Sequence, residues 1–138
     1  PLPRAEPSET LLLVEDNAGV REYAVSVLED LGYRVIEAAD VDSALKAIEG
    51  MPHIDLLFTD VVLPGRGTGR VLADILKQRF PGLPVLFTTG YTRNAIVHNG
   101  RLDAKVQLLN KPYTQQELAR KLRELLDAAK ASGGHRAG

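Results

Sequence analysis

The chain has 138 residues, 44% of them apolar and 25% charged, with a formal net charge of −1, which fits one domain with one core and would crowd two. It contains no cysteine, so disulfides, thiol catalysis and zinc–thiolate sites are excluded, and its near-neutral charge gives no global field to recruit nucleic acid. No apolar run approaches the ~20 residues of a membrane helix and no secretory signal opens the chain; no membrane insertion and a cytoplasmic location are the expectations.

Residues 1–9 are rich in Pro and Glu without periodicity and read as a flexible leader. The start at Pro1-Leu2-Pro3, without Met, suggests a fragment or a processed chain. A domain is expected over 10–131 and a frayed tail over 132–138. Within the domain, Leu11-Leu12-Leu13-Val14 is apolar throughout, as a strand covered on both faces would be. Val20, Tyr23, Ala24, Val27, Leu28 and Leu31 then recur at helical spacing, and Gly32 is placed to end that helix. A second strand over 34–38 leads to a helix with Val41, Ala44, Leu45 and Ile48 on one side, capped by Asp40 or Asp42. The third strand covers 55–59 and ends at Asp60. A loop over 63–69 opens a helix near 70–79, and Pro81-Gly82 breaks the chain before a fourth strand over 84–88. A short helix is placed around 94–98, ended by Asn99-Gly100, and a fifth strand over 106–109. Thr114-Gln115-Gln116-Glu117 is a capping box that opens the last helix, apolar at Leu118, Leu122, Leu125, Leu126 and Ala129.

Strands alternating with helices imply an α/β fold with a doubly wound parallel sheet, helices on both faces and a functional crevice beyond the carboxyl ends of the strands. Those ends carry Glu15-Asp16, Asp60, Thr88-Thr89-Gly90 and Asn110-Lys111-Pro112. Carboxylates gathered on one rim repel each other until a cation relieves them. An all-oxygen set with no Cys, and no His at a strand end, favours Mg²⁺, with Mn²⁺ as the alternative. An Asp carboxylate is also a nucleophile able to form an aspartyl phosphate. The charge developing on a transferring phosphoryl group then needs fixed positive partners, and Lys111 is one. Thr89 is placed to donate a hydrogen bond to a phosphoryl oxygen.

These residues carry a resemblance over roughly residues 10–130. Glu15-Asp16-Asn17, Thr59-Asp60-Val61-Val62-Leu63-Pro64-Gly65, Gly69, the stretch from Leu83 to Gly90 and Asn110-Lys111-Pro112-Tyr113 together resemble the receiver domains of two-component response regulators. The likeness is greatest to the C-terminal receivers of hybrid sensor histidine kinases. It implies a flavodoxin-like five-stranded sheet of order 2-1-3-4-5. It further implies a Mg²⁺ site of Glu15, Asp16, Asp60 and the carbonyl of Val62, and phosphorylation of Asp60 by a sensor histidine kinase or a histidine phosphotransfer protein. Thr89 would be the switch hydroxyl, Lys111 the phosphate-sensing lysine, and the Lys111-Pro112 bond cis. The protein would catalyse its own phosphorylation and dephosphorylation, and partners would read the side near the fourth helix and fifth strand. Many members carry an aromatic three residues before the lysine. Leu108 stands there in this chain, so the coupled Thr-and-aromatic switch is not implied, and Tyr91 is the candidate gate instead.

Two other readings compete: a flavodoxin-like cofactor or nucleotide binder, and a receiver-shaped docking module that never turns over phosphate. Against the first, the charges of Glu15-Asp16 would repel a cofactor phosphate. The stretch Gly65-Arg66-Gly67-Thr68-Gly69 lacks the Gly-Lys-Ser/Thr ending of a Walker loop and reads as a flexible loop. His53, His98 and His135 lie at no strand end and read as surface residues. The leucines of the last helix read as core before a homodimer seam. With no DNA-binding module after residue 131, the chain alone is not expected to be a transcription factor.

Overall fold

Four consecutive apolar residues make most of one inner strand. In the computed structural model, which describes residues 2–65, 67–90 and 107–133, β1 (Thr10–Val14) lies between β2 (Arg34–Ala38) and β3 (Leu56–Asp60). With β4 (Val85–Thr89) and β5 (Leu108–Asn110) they form a parallel sheet of order β2-β1-β3-β4-β5, the order expected. Leu11, Leu12, Leu13 and Val14 are all buried because both faces are covered. On one face Leu11, Leu13, Phe58 and Leu86 pack against α1 (Ala18–Asp30) and α4 (Gln115–Gly133). On the other, Leu12, Val14, Leu57, Val85 and Phe87 meet α2 (Val41–Ala47) and α3 (Gly69–Arg79). Alternation along each strand thus feeds two separate cores.

The helix ends follow local chemistry. Asn17 accepts from the Val20 N–H at 2.9 Å, and Gly32, at φ +99°, takes the left-handed position just past α1. Of the two acidic candidates, Asp40 caps α2: its carboxylate accepts from the Ser43 N–H at 2.7 Å, and the Ser43 hydroxyl accepts from the Asp40 N–H. Thr68 caps α3 by accepting from the Val71 N–H. Thr114 and Glu117 form the reciprocal capping box of α4, at 3.0 and 2.8 Å. Leu118, Leu122, Leu125 and Leu126 are buried in the core, as their spacing indicated.

Several expectations need correction. Residues 2–9 are docked. The Ala5 N–H donates to the Leu31 carbonyl at 2.9 Å and the Arg34 N–H to that of Glu9 at 3.0 Å, while Leu2 and Ala5 pack on the core. Glu9 is only 3% exposed and receives Arg123 of α4 through both oxygens, at 2.8 and 3.0 Å; Lys130 reaches Glu6 and Glu9 beside it. The leader reads as loose because its partners are distant in sequence, the Arg123 and Lys130 side chains by more than a hundred positions. β4 and β5 sit further along the chain than their patterns suggested, because Thr89 pairs with Asn110 and extends both strands to the rim. α3 begins at Gly69 and α4 continues through Gly133. Tyr23, expected on the buried face of α1, is 48% exposed; its ring lies at the rim beside Tyr113, with centroids 6.2 Å apart. The helix placed at 94–98, the start of the fifth strand at Val106, Tyr91, His98 and His135 fall outside the described residues. Among those described, no helix is long and apolar enough to cross a membrane.

Candidate functional site

The carboxyl ends of β1 and β3 are adjacent because Val14 pairs with Thr59, so the residues that follow them emerge side by side. Glu15, Asp16 and Asp60 each offer an oxygen, and the three oxygens lie within 4.8 Å of one another. Glu15 and Asp60 are buried whereas Asp16 is exposed. Lys111 follows β5 and reaches back over the sheet edge. Its Nζ stands 2.6 Å from Glu15 Oε1 and 2.9 Å from Asp60 Oδ2. One ammonium therefore bridges the two buried carboxylates, an arrangement that satisfies the demand for a partner on a buried charge.

Backbone contacts hold this geometry. The Lys111 N–H donates to the Thr89 carbonyl at 2.9 Å, and the Val61 N–H to that of Thr88 at 3.0 Å. The Lys111-Pro112 bond is cis. Tyr113 is buried between Phe58 and Tyr23, which fixes the turn after Lys111. Glu15 is held on every polar handle. Its N–H donates to Ala38, its Oε2 accepts from the Asn17 N–H at 3.0 Å, and its carbonyl accepts from Arg21. Gly69 lets the start of α3 lie against the end of β3, where its N–H donates to the Val61 carbonyl.

The electrostatics split the two buried carboxylates. Burial pushes Asp60 up, and the neighbouring Glu15 charge adds to it, so that even with the Lys111 hydrogen bond its pKa stands at about 6. Burial also acts on Glu15, but the Lys111 bond, the Asn17 amide and the Lys111 charge outweigh it and hold the carboxyl below its ordinary value. Lys111 in turn loses by burial and gains more from the two carboxylates, so its pKa is raised and it stays charged. A buried carboxylate with a raised pKa beside a lysine ammonium is an arrangement common at functional sites.

The structure brings together Glu15, Asp16, Asp60 and Lys111 of the residues singled out from sequence. Thr89 is buried at the end of β4, one residue beyond Thr88, which shares the register position of Asp60. Val62 follows Asp60 by two residues with its side chain 49% exposed. Leu108 pairs with Phe87 and packs on the second core, away from the rim. Arg21 is a neighbour that sequence reading missed. The available signal was its place four residues after the Asn17 cap, one helical turn from the acidic loop. An apolar recess of about 520 Å³ adjoins the pocket, lined by Gly19, Val20, Tyr23, Lys111, Pro112 and Tyr113.

Against known proteins, residues 11–123 match the response regulator receiver domain family. The chain is 36% identical over 121 residues to the sensor kinase CckA of Brucella abortus (strain 2308), covering 87% of this chain and 13% of that protein. It is 30% identical over 119 residues to the response regulator receiver protein CpdR of the same organism, covering 86% of this chain and 98% of that one. The chain thus spans a small part of one relative and nearly all of the other. Among solved structures, the receiver domain from the hybrid histidine kinase CckA superposes with a TM-score of 0.70 at 34% identity, over 85% of this chain and 98% of that one.

Proposed function

This chain belongs to the response regulator receiver domain family of two-component signalling, and on that premise we propose that Asp60 is its phosphoacceptor, served by Lys111 and by a Mg²⁺ ion held by Glu15, Asp16 and Asp60. The observation that carries the proposal is the convergence of three carboxylate oxygens within 4.8 Å on a site where Lys111 touches two of the three residues. The donor set fits the ion: all oxygen, with two buried carboxylates and one exposed, as suits a hard cation that keeps several waters. The carbonyl of Val62 would complete the protein ligands, and Mn²⁺ would fit the same donors. When bound, the dication neutralises charge on phosphoryl oxygens.

The chain's own groups supply the rest. A carboxylate oxygen of Asp60 attacks phosphorus. The new O–P bond forms as the P–N bond to a partner's phosphohistidine breaks, and the imidazole departs. Glu15 stays ionised, because Lys111 and the Asn17 amide favour its charged form, and so it remains a ligand. Lys111, a compact point charge already 2.9 Å from Asp60, turns to a phosphoryl oxygen as charge builds there. Thr89, at the adjoining strand end, would receive a second phosphoryl oxygen and convert occupancy into a shift between conformations. The donor would be a sensor histidine kinase or a histidine phosphotransfer protein, and the apolar recess beside Lys111 offers its docking helix a landing surface. The test is labelling by a small phosphodonor with Mg²⁺. Wild type labels at Asp60 and Asp60→Asn does not; equal labelling of the two would refute the acceptor assignment.

A further inference from the structure

Arg21 lies in the second turn of α1, outside the carboxylate cluster, yet it touches the backbone that carries the cluster. Its Nη1 donates to the Glu15 carbonyl at 2.7 Å, and its Nε meets Glu37 Oε1 of β2 at 3.3 Å. The guanidinium side chain is 22% exposed and that of Glu37 51%. The loop carbonyl is therefore gripped by a planar donor, and the donor is steadied by an outer carboxylate on the sheet edge.

We propose that Arg21 is a positioning residue for the divalent-cation loop: through the Glu15 carbonyl it fixes the direction in which Glu15 and Asp16 leave β1. The inference rests on the functional reading above. Glu15 must aim Oε1 at the pocket while Oε2 takes the Asn17 N–H. Asp16 is exposed, so its orientation depends on the backbone beneath it. With Arg21 removed, the Glu15 carbonyl loses this charged donor, and the peptide between Glu15 and Asp16 is freer to rotate.

The sign of the effect separates this role from plain electrostatics. Arg21 is a cation near a site for a dication, so loss of its charge alone would tighten Mg²⁺ binding. Loss of positioning weakens it. Outer residues that orient ligands typically change metal affinity by about tenfold or more.

The experiment titrates Mg²⁺ into the metal-free full chain by calorimetry, and follows hydrogen exchange of the Asn17 amide by NMR, for wild type, Arg21→Met, Arg21→Lys and Glu37→Gln. Arg21→Met is expected to weaken Mg²⁺ binding about tenfold and to speed exchange at Asn17 without magnesium. Arg21→Lys, which keeps a donor, recovers part of the loss. Glu37→Gln unsteadies the guanidinium and also removes a negative charge, two changes that weaken binding alike, so its positioning effect is read in faster exchange at Asn17 rather than in affinity. If Arg21→Met does not fold, Arg21→Lys, which keeps the charge and loses the planar fork, still decides. Binding as tight as wild type, or tighter, in the folded Arg21 variants would overturn the positioning role. Failure of wild type itself to bind Mg²⁺ saturably would instead sink the functional reading on which it rests.

Discussion

Gly69 packs against the backbone of Asp60 so closely that a Cβ at this position would stand 2.0 Å from the Asp60 carbonyl oxygen and 3.2 Å from Thr59 Cγ2. The obstacle is main chain at the end of a central strand, not the tip of a flexible side chain. Gly69→Ala must therefore push α3 away from β3 or bend β3 itself. Overpacking of this kind costs about 1–3 kcal/mol. A lowered midpoint in urea and reduced phosphodonor labelling of Asp60 are expected together. Wild-type stability in the Ala variant would show that the two backbones separate without cost.

Removing Lys111 leaves two buried carboxylates without their shared ammonium. Lys111→Met is expected to lower the rate of labelling by a small phosphodonor by about 10²-fold or more, the scale of losing one fixed partner of a developing charge. The measurement is a single-turnover time course at saturating Mg²⁺. Because the Met side chain is of similar length, packing around Pro112 and Tyr113 is kept. A rate within a few-fold of wild type would remove Lys111 from the mechanism.

On the proposed Mg²⁺ site, Asp60 would link metal binding to pH. Its pKa is raised to about 6 in the folded protein, above its ordinary value, so its contribution to metal-free stability is full below that ordinary value. The contribution is lost as pH rises through about 6. The ion requires the opposite, ionised form. The rise in thermal midpoint on adding Mg²⁺ is therefore expected to be small at pH 5 and to grow through pH 6 to 7. Thermal unfolding with and without the ion across that range checks it. In Asp60→Asn the step near pH 6 should vanish.

Glu9 makes the opposite prediction at the other pole of the sheet. Burial alone would raise its pKa, but the Arg123 pair, the Glu6 amide and Lys130 overcome this and lower it to about 2. Such a carboxylate contributes stability above its ordinary value of 4.5. That stability is lost as pH falls through 4.5 toward about 2. Glu9→Gln leaves Arg123, half-buried, with its exposed partner Asp127 and is expected to cost about 2 kcal/mol at neutral pH. The variant's acid-unfolding curve should be flatter below pH 4.5 than that of wild type.

Much of this site is legible in the order of the residues. Alternating apolar strands and helical faces specify a parallel sheet. The rule that function gathers at carboxyl ends then singles out Glu15, Asp16, Asp60 and Lys111, which the fold does bring together. Capping chemistry is equally readable, since Asn17, Asp40 and the Thr114–Glu117 box act within a few residues of themselves. Tyr23 escapes this reading because helical spacing gives a face without saying where that face runs past the edge of the sheet.

What the amino-acid order determined by itself was local: periodicity, caps, and which chemistry stands at the end of each strand, all set by groups a few bonds apart. What only the tertiary structure decided was which distant groups meet. Glu9 and Arg123 are 114 positions apart, and no spacing rule announces their pairing. The bridge of Lys111 across Glu15 and Asp60, and the hold of Arg21 on the Glu15 carbonyl, exist because strand order and register set those atoms within hydrogen-bond reach. A hydrogen bond depends on distance in space, and the chain's own order leaves that distance open until the sheet is assembled.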